Sequence, residues 1–296
     1  MTRLDPVELF DRIAKDIPAA LHSNIIVTGS LAAAYEFHTK LEGQAVNTKD
    51  ADLIVHPAGE EQNCVEITHN LLELGWTRTD QCFPTPTPIP EDGLRAIRLY
   101  PPTSNDYFVE FLNVPEIGQE SDKKWIPLEL SDGWYGLPCF RFMGVVAIDP
   151  RESKSGLEYA NPAMMVLANL LAHPAVGESR IESGTMKGLL RGAKDLGRII
   201  ALAHLAGRDE TEEWVGPWIN ALETCFPNKF QELASTLGDG LREITVDNAA
   251  MDEAFKTTDI GLLSGMNVTV KNLQVIAERL MVDAIEPVRD AIGKRR

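Results

Sequence analysis

The chain has little of what marks a secreted, membrane or zinc-clipped protein. Its 296 residues hold four cysteines, Cys64, Cys82, Cys139 and Cys225, far apart and with no Cys-x-x-Cys pair. That argues against structural zinc and a disulfide framework, and predicts a reducing, cytoplasmic setting. No apolar run approaches the roughly 18 residues of a membrane span, so no membrane partner is expected. The segment from Met1 to Pro6 lacks the apolar core of a secretory leader. The histidines, at 22, 38, 56, 69, 173 and 204, never fall at a His-x-x-x-His spacing. Gly184-Thr185-Met186-Lys187 is not a P-loop, and Thr28-Gly29-Ser30-Leu31-Ala32 is not a hydrolase elbow.

Positive charge is also short. Lysine and arginine number 28 against 44 aspartates and glutamates, a net charge of −16. Such a field repels nucleic acid at long range, which argues against a broad DNA-binding surface. It leaves room for a local basic pocket that takes one nucleotide or a tRNA end. The tail Lys294-Arg295-Arg296 reads as a solvated end. At 44% hydrophobic and 24% charged residues the composition is that of an ordinary globular protein. The length suits one large or two ordinary domains.

What is present begins with a well-signposted helix: Asp5 as N-cap, Pro6 at the first turn, Glu8 at capping-box spacing, then Leu9, Ile13 and Ile17 at helical period until Pro18. A strand is predicted at 24–28, a helix from 30 to about 40, and a polar loop over 42–47. A second strand carries Asp50 and Asp52 and ends at His56-Pro57. A helix follows at about 60–74, closed by Gly75. The alternate prolines of 83–90 exclude regular structure; a rigid surface loop is the plain reading, a polyproline ligand for another protein the sharper one. Residues 96–100 and 107–112 read as paired strands, and 140–148 as a further β segment. After about 155 the pattern turns helical, with Asn161-Pro162 opening a helix to about His173 and others over 184–206, 210–225, 228–237 and 267–292. The expected organisation is an α+β domain over 1–155 followed by a helical domain over 156–296.

Chemistry concentrates in two short motifs. Gly29-Ser30 stands between a strand and a helix, where backbone amides and the helix dipole favour an anion such as phosphate. Asp50 and Asp52 lie at i and i+2 of a strand and so face the same side. Two such carboxylates suit Mg²⁺ or Mn²⁺ held against a triphosphate. Glu110 is the one charged residue within Tyr107–Leu112, where an unpartnered carboxylate is costly to bury; it is the candidate third carboxylate. His56, just past the acidic strand, can approach a substrate, although a loop histidine beside proline reads more plainly as solvent-facing.

Gly-Ser followed by Asp-x-Asp and a later strand carboxylate resembles the nucleotidyltransferase superfamily of DNA polymerase β. Within it, Thr48-Lys49-Asp50-Ala51-Asp52-Leu53 and the segment from Met186 to Leu202 are similar to AbiEii-type toxins of type IV toxin–antitoxin systems. The resemblance implies a nucleotidyltransferase-fold mixed sheet with flanking helices, followed by a helical domain. It implies Gly29 and Ser30 on phosphate, Asp50, Asp52 and Glu110 on Mg²⁺, and Lys187 reaching the triphosphate. Asp195 would be the acidic partner in the helical domain. Lys187, Arg191, Lys194 and Arg198 fall at i, i+4, i+7 and i+11. That basic stripe is either a triphosphate clamp, with Arg191 among its ligands, or a solvated helix face. As a clamp it would complete a two-part nucleotide cleft.

Three functions follow. The first is a toxin-like enzyme transferring NMP from an NTP to RNA or protein, with a cognate antitoxin as partner. The second is an adenylyltransferase of the antibiotic-modifying kind acting on a small hydroxyl compound, which the acidic surface would attract if cationic. The third is a non-catalytic module that keeps the fold and binds a nucleotide or a basic partner.

Overall fold

The computed structural model describes residues 5–41, 50–118, 123–176, 179–182 and 186–294. The loop 42–47, Thr48 and Lys49 of the acidic motif, Gly184, Thr185, and Arg295 and Arg296 of the basic tail lie outside the described residues. The chain divides into two compact units, one of Met1–His38 and Gly43–Asn161, the other of Thr39–Glu42 and Pro162–Arg296.

The first unit opens with α1 (Pro6–Asp16), where Asp5 Oδ1 accepts from Val7 N at 2.8 Å and Glu8 N at 3.1 Å. Leu9, Ile13 and Ile17 are buried, as their period requires. Strand β1 (Ile25–Thr28) runs straight into α2 (Gly29–Glu36), and β2 (Asp50–Val55) is followed by α3 (Glu61–Glu73). The remaining strands are β3 (Thr77–Arg78), β4 (Arg98–Tyr100), β5 (Phe108–Asn113), β6 (Lys123–Leu130), β7 (Gly133–Phe140), β8 (Arg151–Glu152) and β9 (Glu158–Tyr159), with the short helix α4 (Met143–Val146) after β7. Together they make one mixed sheet in the order β3-β4-β5-β2-β1-β9-β8, with β7 also joined to β5 and to β6. The predicted α+β class, a mixed sheet flanked by helices and followed by a helical region, is the observed one.

The centre of the sheet is buried on both faces. Ile25, Ile26 and Val27 of β1 and Leu53, Ile54 and Val55 of β2 are all fully enclosed. Their continuous apolar runs, rather than alternating ones, follow from that two-sided burial. Each such side chain contributes about 1.5–3 kcal/mol on leaving water. Helix α2 is enclosed along Leu31–Tyr35, and its three alanines let it lie close to neighbouring elements. Tyr35 joins Phe10 and Tyr159 in an aromatic cluster with ring centroids 4.1 and 5.1 Å from its own.

Two expectations need correction here. The apolar run 140–148 is not a strand: β7 ends at Phe140 and the chain folds into α4, with Val145 N bonded to Phe142 O at 3.2 Å. A short apolar run does not tell helix from strand by periodicity. The strand is instead the preceding segment, paired with β6 along its length. The proline loop is a surface loop pinned at one point, where Thr85 N and O exchange bonds with Trp134 at 2.8 and 3.0 Å.

The second unit is helical: α5 (Pro162–Val176), α6 (Arg191–Ala206), α7 (Arg208–Glu213), α8 (Val215–Cys225), α9 (Phe230–Thr236), α10 (Asp239–Val246), α11 (Asn248–Ile260), α12 (Val270–Leu280) and α13 (Glu286–Gly293). Helices α12 and α13 are joined through a π-helical turn over Met281–Ile285, just before Pro287, which cannot donate a helical bond. Trp218 is fully buried and donates Nε1–H to Ala163 O at 2.9 Å. Helix α6 meets α11 at Gly197, where a Cβ would stand 2.2 Å from Thr257 Oγ1. Residues 39–41 join this unit through Lys40, whose ammonium donates to Leu205 O at 2.6 Å. Among the described residues no helix is long and apolar enough to cross a membrane.

Candidate functional site

In the first unit the sheet register gathers three of the expected residues, Asp50, Asp52 and Glu110, and sets Thr28 and Arg98 beside them. Thr28, the last residue of β1, pairs with Asp52 across the antiparallel β1–β2 ladder. Asp52 pairs with Glu110 and Asp50 with Phe108 across the parallel β2–β5 ladder. Arg98 pairs with Glu110 across β4–β5. Thr28, Asp52, Glu110 and Arg98 therefore form one row over four strands, with Asp50 two residues from Asp52 on the same face.

The first turn of α2 completes the arrangement. Gly29 begins the helix with φ of +72°, in the left-handed region that favours glycine. A Cβ on Gly29 would lie 2.6 Å from Asp52 Oδ2, so the carboxylate rests directly on the glycine α-carbon. Thr28, the N-cap residue, gives no side-chain hydrogen bond to the helix. An anionic group at this helix end is favoured by the dipole. Asp50 is exposed, while Asp52 and Ser30, the second residue of α2, are half-buried.

Two carboxylates on one strand face are hard oxygen donors, and with the space that the missing Gly29 side chain leaves to Asp52 they fit Mg²⁺ or Mn²⁺. Among the described residues, however, no group of three or more His, Cys, Asp or Glu is arranged to hold a metal ion. Glu110 stands in the expected row but is engaged elsewhere: Arg98 Nε donates to its Oε2 at 2.7 Å. Arg98 is the residue that sequence reading passed over. The signal was available in the hairpin of 96–100 with 107–112, whose register sets Arg98 opposite Glu110. His56 is neither solvent-facing nor beside the carboxylate row; its Nε2 lies 3.4 Å from Glu158 Oε2.

In the second unit the basic segment differs from expectation. Helix α6 begins at Arg191, so Lys187 is not part of its stripe. Lys187 sits in a turn closed by Leu189 N to Met186 O at 3.1 Å, and Arg191 N bonds Ser179 O at 2.8 Å. Gly188, at φ +88°, breaks the helical period that the spacing suggested. Lys187 and Arg191 are both exposed. Asp195 lies in α6, and burial pushes its carboxyl above the usual carboxylate range, opposed by Arg198, Lys194, His173 and Arg191. Burial in turn lowers His173, opposed by Asp195 and Glu243. His173 thus belongs to the surroundings of Asp195, a neighbour that no linear spacing announces.

No protein-family model and no curated protein matches the sequence. Among solved structures, the chain is similar to JHP933 from Helicobacter pylori, at 12% identity and a TM-score of 0.42, covering 99% of this chain and 96% of that one. It is also similar to the STING-associated CdnE c-di-GMP synthase from Capnocytophaga granulosa, at 10% identity and a TM-score of 0.25, covering 98% and 82%. A third is the Bradyrhizobium diazoefficiens CD-NTase CdnG in complex with GTP, at 12% identity and a TM-score of 0.20, covering 97% and 91%. At these values the likenesses carry no weight on substrate or activity.

Proposed function

We propose that this chain is a Mg²⁺- or Mn²⁺-dependent nucleotidyltransferase that moves NMP from an NTP to an acceptor hydroxyl, of the toxin-like kind that its motifs resemble. The reading rests on one observation: the Asp52 carboxylate packed on Gly29 at the start of α2, with Asp50 on the same strand face. Asp50 and Asp52 hold the ion. Gly29 and Ser30 orient phosphate oxygens at the helix end, where amides and dipole favour negative charge. The acceptor hydroxyl oxygen attacks the α-phosphorus and releases its proton to solvent, the bond to pyrophosphate breaks, and pyrophosphate leaves. When bound, the ion neutralises charge on the phosphates. The residues supply position rather than covalent chemistry.

The acceptor is RNA, protein or a small hydroxyl compound, and a cognate antitoxin is the expected protein partner. The net charge of −16 favours a cationic small acceptor over a polyanion at long range. The test is transfer of label from each α-³²P-NTP with Mg²⁺ into RNA, protein and small hydroxyl compounds. Wild type is expected to label one acceptor class. The pair Asp50→Asn plus Asp52→Asn is expected to lose transfer by more than about a hundredfold. Absence of transfer to every acceptor leaves a non-catalytic binding module.

A further inference from the structure

Glu110 carries the charge and occupies the register expected of a third metal ligand, yet its carboxylate already has a cation. Arg98 Nε lies 2.7 Å from Glu110 Oε2, a charge-assisted bond between side chains only 30% and 13% exposed. Arg98 is held from two further sides. Its Nη1 donates to Gln81 Oε1 at 2.6 Å, and its guanidinium carbon stands 5.6 Å from the centroid of the Phe108 ring. Phe108 is itself the register partner of Asp50. With Oε2 bound to Arg98, Glu110 could serve a metal only through Oε1 and with its charge already shared, or by opening this part-buried pair and leaving the guanidinium without its anion, which is strongly unfavourable.

We propose that Arg98 is a positioning residue that keeps Glu110 out of the ligand set, so that the ion is held by Asp50 and Asp52 alone. The inference rests on the nucleotidyltransferase reading and deepens it. The charge offered to the ion is two carboxylates rather than three. Affinity for hard cations follows the charge count of the ligands, and Mg²⁺ sites that hold phosphates manage with one or two carboxylates because the substrate supplies further oxygens. The free protein therefore binds the ion weakly, and the ion loads together with the triphosphate. Glu110, neutralised by Arg98, fixes the row without adding to its negative charge.

The test is Mn²⁺ binding to the full-length protein without nucleotide, followed by the loss of the free-ion EPR signal. Arg98→Gln alone releases Glu110 and is expected to tighten Mn²⁺ binding about tenfold. The charge-balanced double variant, Arg98→Gln with Glu110→Gln, is expected to bind as wild type does, within about twofold. A tenfold loss in that double variant makes Glu110 a ligand and overturns the proposal. So does an Arg98→Gln protein whose affinity is unchanged or weaker, which is what a merely structural arginine would give. Should the glutamine pair fail to fold, Arg98→Met with Glu110→Leu keeps the comparison, since apolar pairs of similar volume commonly replace buried ion pairs. Failure of the underlying reading has a separate signature: Mn²⁺ binding indifferent to Asp50→Asn and Asp52→Asn sinks both the reading and the role of Arg98.

Discussion

The Asp52 carboxylate rests on the α-carbon of Gly29, with Oδ2 only 2.6 Å from where a Cβ would be. Gly29 is therefore required twice, once for its backbone conformation and once for the space that it leaves. In Gly29→Ala the left-handed backbone costs about 1–2 kcal/mol, and the new methyl displaces the carboxylate. The expected outcome is a lower urea midpoint together with a loss of label transfer greater than about tenfold. A variant that transfers label as wild type does would show that Asp52 need not lie at this helix end.

His173 and Asp195 give stability opposite pH dependences. Burial lowers His173 from the ordinary 6.5, so the unfolded chain takes up a proton that the folded chain refuses. That contribution is full above 6.5 and lost as pH falls below it towards the folded value. His204, also lowered by burial, acts in the same sense. Burial raises Asp195 from 3.8, so its contribution is present at low pH and lost as pH rises through the folded value. Between pH 7 and pH 5 the change in urea midpoint is expected to be less unfavourable in His173→Gln than in wild type, because the variant lacks the group whose contribution is lost. At pH 7, Asp195→Asn is expected to raise the midpoint, because the neutral amide has no charge to desolvate.

Gly197 lies within α6, where alanine would ordinarily stabilise by up to about 1 kcal/mol. Here a Cβ would meet Thr257 Oγ1 at 2.2 Å and Ala254 O at 2.9 Å. Overpacking of a close helix contact costs about 1–3 kcal/mol, and it outweighs propensity. Gly197→Ala is expected to lower the thermal midpoint, and Thr257→Ala in the same chain to restore part of the loss. A midpoint that rises instead would mean that α6 and α11 separate at little cost.

Local chemistry made the first half of the site legible. Asp5 and Pro6 announce α1, the apolar run before Gly29-Ser30 announces β1 and the α2 turn, and Asp-x-Asp opens β2. What stayed hidden depends on partners distant in sequence. Glu110 is legible as a candidate third carboxylate, but the parallel pairing across more than fifty residues that sets it directly beside Asp52 is encoded by no local pattern. The β6–β7 hairpin escaped because Pro127 and Pro138 interrupt its strands, although both pair within it. The i, i+4 spacing of Lys187 and Arg191 looked helical, but Gly188 takes a conformation that ends the period between them. A charged strand residue carries little signal by itself, and Arg98 acquires its meaning only from the register that sets it against Glu110.

The passage of Thr39–Glu42 into the second unit has a consequence for synthesis. Lys40 leaves the ribosome 165 residues before Leu205, the carbonyl that it grips. At about 5–20 residues per second that is a wait of roughly ten to thirty seconds. During that interval the nascent sheet can form around a segment still lacking its helical partner. A single protease cut after Asn161 would likewise leave the second unit incomplete, because Thr39–Glu42 would stay with the first.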